Sequence, residues 1–243
     1  MASIRGKVAT YHSNLRTMFR RLQKEGYIAA SPMESMEKPR VPKNQIQPFT
    51  IEQVFAMIEA TRKTSHPKRN KAIVLLWLDT GMRVDELCQL RMRDLDLHGR
   101  YVTVLGKGQK TRRIPVSAET TRAILQHLNE DGERGLHEPL FRSERGTQIG
   151  GHLTPSGARR LGQRAGPDAV VRCSPHTLRH PFAVMFLRNG GNVFTLKELL
   201  GHTSLAICQR YVSLALADTS TNTGKTHQFS RSAKGKDKFV LCL

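Results

Sequence analysis

The chain has 243 residues, enough for one sizeable domain or for one domain beside a smaller one. Its 39 Lys and Arg outnumber 20 Asp and Glu, giving a formal net charge of +19; self-repulsion of that size calls for a polyanionic partner, nucleic acid before an anionic membrane surface. No apolar run is long enough for a bilayer, no long basic amphipathic helix is evident, and MASIRGKVATYHS lacks the apolar core of a signal peptide, so a cytoplasmic protein with no membrane partner is expected. Cys88, Cys173, Cys208 and Cys242 show no C-x-x-C spacing and read as free thiols of a reducing compartment.

In chain order, Tyr11, Leu15, Met18 and Leu22 recur at helical spacing over residues 11–22, and Gly26 follows as a stop signal. KPRVPKNQIQP, residues 38–48, holds three prolines, the cations Lys38, Arg40 and Lys43, and no acid; it reads as an extended basic linker. Thr50 with Gln53 suits a capping box, after which Ile51, Val54, Phe55 and Ile58 form one apolar stripe. KAIVLLWL, residues 71–78, is too apolar for a surface helix and is expected in the core, with Asp79-Thr80-Gly81 interrupting it. A short helix then turns Val84, Leu87 and Leu90 inward. Alternation around Val102 and Val104, a turn at Gly106-Lys107-Gly108, and a return over Thr111 to Val116 predict a β-hairpin with a cationic tip. Helices follow at about 118–128, 155–165, 177–189, 193–200 and 204–214, with Ser117, Thr154 and Ser204 as caps, Pro155 in a first turn, and Gly190 and Gly201 at ends. The Ser/Thr/Lys/Gly-rich stretch from Asp218 onward predicts a mobile tail.

Metal-free cleavage of a phosphodiester needs a nucleophile, guanidinium groups on the non-bridging oxygens, and an acid for the leaving oxygen. The C-terminal half offers such a set. His176 and Arg179 stand three apart at a helix start, and so share a face. His202 follows a helix end, and Tyr211 lies nine residues on, in the next helix. Upstream, Arg83 opens a short helix and Lys107 sits at the hairpin tip. Each residue alone also has an ordinary reading. Tyr211 would be a half-buried helix tyrosine, the arginines would be surface or ion-pair residues, and Glu86 an exposed helix residue. The cluster of Lys107, Lys110, Arg112 and Arg113 would be a phosphate-binding patch. His176, His180 and Cys173 lie close enough to suggest a metal, but that turn has no carboxylate and no H-E-x-x-H, so neither a metal nor any other cofactor is expected.

Four strings, TGMRVDELCQLRMRDLD, GKGQKTRRIPV, HTLRHPFA and LLGHTSLAICQRYV, stand in the order and at the separations of the signature boxes of tyrosine recombinases. The chain resembles that family, and within it the integrases of phages and conjugative elements, well over residues 50–217 and loosely over 11–48. The resemblance implies a mainly α catalytic domain with a small antiparallel sheet (residues 45–217). Before it would come a truncated helical DNA-binding segment and linker (1–44), and after it a flexible tail (218–243). It implies that Arg83 and Arg179 clamp the scissile phosphate. Tyr211 would form a 3′-phosphotyrosyl link, with Lys107 protonating the leaving oxygen and His176 assisting as acid or base. His202 would hydrogen-bond the phosphate, Glu86 would support the site, and His180 would be a structural histidine beside it. Lys110, Arg112, Arg113, Lys38, Arg40 and Lys43 are expected to contact DNA. The implied partners are double-stranded recombination sites, a homotetramer on them, and an accessory directionality factor; the implied location is the nucleoid. The same residues also accommodate a catalytically weak DNA-binding relic of an integrase, an enzyme like a type IB topoisomerase, or a housekeeping chromosome-dimer resolvase.

Overall fold

The computed structural model describes residues 2–40, 51–106, 109–143, 150–164, 179–202 and 204–222. The chain divides into two compact units, residues 1–47 and 48–243. The first holds one long helix, α1 (Ala2–Lys24), which starts well before the apolar spacing that predicts it. Gly26, at φ 79°, takes the left-handed conformation that ends it. Lys38 and Arg40 are exposed, whereas Lys43 lies outside the described residues, as does the expected Thr50 cap.

The second unit is mainly helical with a small antiparallel sheet. Its elements are α2 (Ile51–Ala60), α3 (Pro67–Thr80), α4 (Val84–Gln89), β1 (Leu95–Asp96), β2 (Tyr101–Leu105), β3 (Thr111–Pro115), α5 (Ala118–Asp131), α6 (Pro155–Arg164), α7 (Arg179–Arg188), α8 (Val193–Leu200) and α9 (Leu205–Asn222). The sheet order is β1-β2-β3, with Val102 opposite Ile114 and Val104 opposite Arg112. The hairpin is the expected one. β1 was not foreseen, because two residues are too few to show alternation.

The core is built around α3, in which every residue from Ala72 to Thr80 is buried. This helix packs on α5 and α7, α7 packs on α8 and α9, and α8 meets β3. Asp79 and Thr80 do not break α3, as the sequence suggested. Asp79 accepts the Ser117 amide at 2.6 Å, and Thr80 donates to the Leu76 carbonyl, so both stay helical and satisfied. Burial presses the Asp79 carboxyl above the usual range against hydrogen bonds from Ser117 and Thr120. The break falls at Gly81, which has φ 56° and whose missing Cβ would sit 2.5 Å from Phe182 Cδ1. Only glycine fits there, and its turn delivers Arg83 two residues later.

The stripe of α2 also differs from expectation. Met57 is fully buried while Phe55 stays exposed; positions 54, 57 and 58 make a helical face as well as 51, 54, 55 and 58 do, and packing chose between them. Ser117, Thr154 and Ser204 cap as expected, accepting the amides of Thr120, Gly157 and Ala206. Asn192 caps α8 through the Phe194 amide, which had not been foreseen. Helix α9 runs to Asn222, past the expected tail start at residue 218, because extending a formed helix costs far less than starting one. Among the described residues no helix is long and apolar enough to cross a membrane.

Candidate active site

The site is organised by the C-terminal end of α8. The last carbonyls of a helix have no intrahelical partner and carry the negative end of its dipole. Here three successive ones each accept from a different guanidinium. Leu199 O takes Arg112 Nε at 2.8 Å, Leu200 O takes Arg179 Nη2, and Gly201 O takes Arg83 Nη2 at 3.2 Å. Gly201, at φ 61°, makes the left-handed cap that turns these carbonyls outward, and the His202 amide closes back on Lys197 O.

Glu86 ties two of the arginines together. Its carboxylate accepts Arg112 Nη1 and Nη2 at 3.0 and 2.8 Å, Arg83 Nη1 at 3.0 Å, and the Arg83 amide at 2.7 Å. The last bond closes the first turn of α4 from its third position, half of a capping box. Burial alone would raise this carboxyl, but the hydrogen bonds from Arg112 and Arg83 and their charges outweigh it and hold Glu86 below the usual range. Three guanidiniums against one carboxylate leave a local surplus of 3 − 1 = 2 positive charges.

The arginines differ in exposure. Arg83 keeps 38% of its side chain open, whereas Arg112 keeps 12%. Arg112 was expected at DNA; instead its Nε, Nη1 and Nη2 all donate inside the protein. Arg179 is 4% exposed, and its Nη1 is buried with no hydrogen-bond partner among the described residues. Burial, together with Arg83, presses Arg179 down to about 10, so it remains charged at neutral pH. An unpaired guanidinium N–H in such a place is costly until an anion accepts it.

Tyr211 projects from α9, is 4% exposed, and donates or accepts at His180 Nδ1 over 2.9 Å. Desolvation raises its hydroxyl against the opposing charge of Arg179. The His202 ring stacks on the Tyr211 ring, with centroids 6.5 Å apart and planes 16° apart. His202 Nδ1 lies 3.3 Å from Cys208 Sγ. Burial and the charges of Arg179, Arg83 and Arg112 lower His202 to about 4, so the ring is neutral near pH 7. A thiol donating to Nδ1 leaves the ring proton on Nε2, where it can serve an anionic oxygen.

Arg83, Glu86, Arg179, His180, His202 and Tyr211 are thus gathered in one place. Lys107 and His176 lie outside the described residues. Lys110 and Arg113 are exposed, and Arg113 stacks over the Tyr101 ring at 4.7 Å. Four contributors had no signal of their own in the sequence: the Leu199, Leu200 and Gly201 carbonyls, and the Cys208 thiol. Cys208 sits three residues before Tyr211, and so on a shared helix face, but that spacing names no chemistry.

Residues 47–217 match the Phage integrase family. A tyrosine recombinase XerC of Myxococcus xanthus is 35% identical over 212 residues, covering 83% of this chain and 69% of its own. The crystal structure of XerA recombinase superposes with a TM-score of 0.61 at 30% identity, covering 81% of this chain and 71% of that one. XerH recombinase, solved on its palindromic difH substrate, shares the fold with a TM-score of 0.70 at 21% identity, covering 90% and 67%. The chain belongs to the phage integrase family and is a tyrosine-type site-specific DNA recombinase.

Proposed function

We propose that this recombinase cuts a strand of its DNA site through Tyr211, held beside a clamp formed by Arg83 and Arg179. The observation that carries the reading is a buried Arg179 Nη1 with no partner among the described residues, in the same site as the buried Tyr211, whose hydroxyl feels the Arg179 charge. A scissile phosphate completes both groups. Its oxygens accept from Arg83, Arg179 and the His202 Nε2–H, and the phenol oxygen attacks phosphorus to give a 3′-phosphotyrosyl link and a free 5′-hydroxyl. Lys107 supplies the proton to the leaving oxygen, and His176 assists near Tyr211, both on the strength of the family pattern. Reversal onto a partner strand needs no ATP, because the phosphotyrosine keeps the bond energy.

The partner is double-stranded DNA carrying recombination sites, with a homotetramer as the working assembly and an accessory factor setting direction; the reaction integrates or excises a mobile element. The charge of +19 supports DNA, and the exposed Lys110, Arg113, Lys38 and Arg40 supply phosphate contacts. Residues 45–217 would act as the catalytic domain, and residues 1–44 as a DNA-binding segment and linker. The deciding test is a nicked-duplex trap. Wild type accumulates covalent protein–DNA, and Tyr211→Phe accumulates none while binding the same duplex as well. Covalent capture by the Phe variant places the nucleophile elsewhere.

A further inference from the structure

A phenol attacking phosphorus must lose its proton, and this one starts at a disadvantage. Burial raises Tyr211 above its ordinary value, so the site needs an acceptor close to the hydroxyl. The described residues offer two imidazoles beside the Tyr211 ring, and they are placed differently. His202 stacks on the ring face, and its Nδ1 is turned to Cys208 Sγ at 3.3 Å. His180 meets the hydroxyl end: its Nδ1 is 2.9 Å from the phenol oxygen, with ring centroids 5.5 Å apart. The placement comes from the fold. His180 follows Arg179 directly on α7, and α7 packs along α9, which carries Tyr211. One helix therefore brings the phosphate-binding guanidinium and the imidazole to the same substrate atoms.

We propose that His180 is a catalytic residue of the cleavage step, taking the phenolic proton of Tyr211 on Nδ1. The tyrosine O–H bond breaks as the O–P bond forms, and the proton passes to His180. The P–O5′ bond breaks, and its oxygen is protonated by a separate acid. In religation the 5′-hydroxyl attacks phosphorus, the phenolate leaves, and His180 returns its proton. The geometry meets the reach required of a general base, and it gives the histidine after the arginine a chemical task in addition to packing. The inference rests on Tyr211 as the nucleophile.

The test uses the full chain on a nicked suicide duplex under single-turnover conditions, with His180→Ala, His180→Gln and Tyr211→Phe beside wild type. Each is also made, where Tyr211 is kept, with a fluorinated tyrosine at position 211, whose phenol is more acidic. His180→Ala and His180→Gln are expected to slow cleavage by roughly 10²-fold, with DNA affinity and thermal midpoint close to wild type. Fluorination is expected to recover much of the loss in both, because a more acidic phenol needs less help, and added imidazole is expected to speed the Ala variant. A packing role moves the midpoint and responds to neither. Cleavage within threefold of wild type in His180→Gln, or a deficit unchanged by fluorination and by imidazole, overturns the assignment while leaving Tyr211 as nucleophile. Capture by Tyr211→Phe overturns the nucleophile and the base together.

Discussion

Arg179 carries its charge where a solvated lysine would gain little. One guanidinium arm is fixed on Leu200 O, and Nη1 is left buried with no partner among the described residues. Arg83 divides its own fork between Glu86 and Gly201 O. Holding a helix carbonyl and an incoming phosphate at once needs several donors in one plane, which guanidinium has and ammonium lacks. Arg83→Lys and Arg179→Lys should therefore keep the charge yet each slow single-turnover cleavage by ~10²–10³-fold, the usual cost of losing one transition-state donor. Rates within threefold of wild type for both variants would contradict the clamp. His202, lowered to about 4 by burial and the arginines, is neutral near pH 7 and adds no further fixed cation to the site.

At the scale of elements, the site depends on five pieces meeting: the start of α4, strand β3, the start of α7, the end of α8 and helix α9. Glu86 on α4 and Arg112 on β3 form the tie, with side chains 7% and 12% exposed. Removing one partner of such a pair strands the other charge, which typically costs about 3–5 kcal/mol. Arg112→Met should therefore lower the thermal midpoint and, by loosening Glu86, slow cleavage without removing any group from the phosphate. The pH dependence has a definite sign. Glu86 is held below its ordinary value of 4.5 in the folded state. Its contribution is therefore complete above that value and disappears as the pH falls through the lowered one. Glu86→Gln should be less stable than wild type at pH 7, and the gap between their midpoints should close under acid below 4.5. A gap that stays constant from pH 7 to pH 3 would show that the carboxylate charge does not hold the tie.

For the whole molecule, the charge of +19 should dominate the DNA-binding behaviour. Among its described residues the first unit contains one helix, α1, on which Ile4, Tyr11, Leu15 and Met18 are exposed, and an amphipathic helix with much of its apolar side uncovered is marginal in water. The 243-residue chain should bind duplex DNA mainly through phosphates, with a steep salt dependence and dissociation constants of ~10⁻⁴–10⁻⁶ M at physiological salt. Site discrimination should suffer more than covalent capture, because Arg83, Arg179, His202 and Tyr211 all belong to the second unit. A salt titration on specific and random duplexes checks this. Nanomolar, sequence-selective binding at physiological salt would show that the first unit is sufficient as a reader of its site.

The sequence by itself determined what depends on near neighbours. Helix α8 was readable to the residue because a glycine at its end and a 3.6-residue apolar period are local facts. The β2–β3 hairpin was readable for the same kind of reason: strand alternation on either side of a glycine turn. The four boxes named Arg83, Glu86, Arg179, His202 and Tyr211 before any geometry was known. Tertiary structure decided which donors meet which acceptors. Arg112, Arg179 and Arg83 reach successive carbonyls 87, 21 and 118 residues away, and no periodicity encodes separations of that kind. It turned Arg112 from an expected DNA contact into the brace of Glu86, because β3 packs on α8. It chose Met57 over Phe55 for the core, since two overlapping helical faces are equally regular until a neighbour covers one. It also set His180 on the Tyr211 hydroxyl, because a hydrogen bond between two helices follows from how those helices pack, and side-chain packing of distant segments is the part of folding that local sequence leaves open.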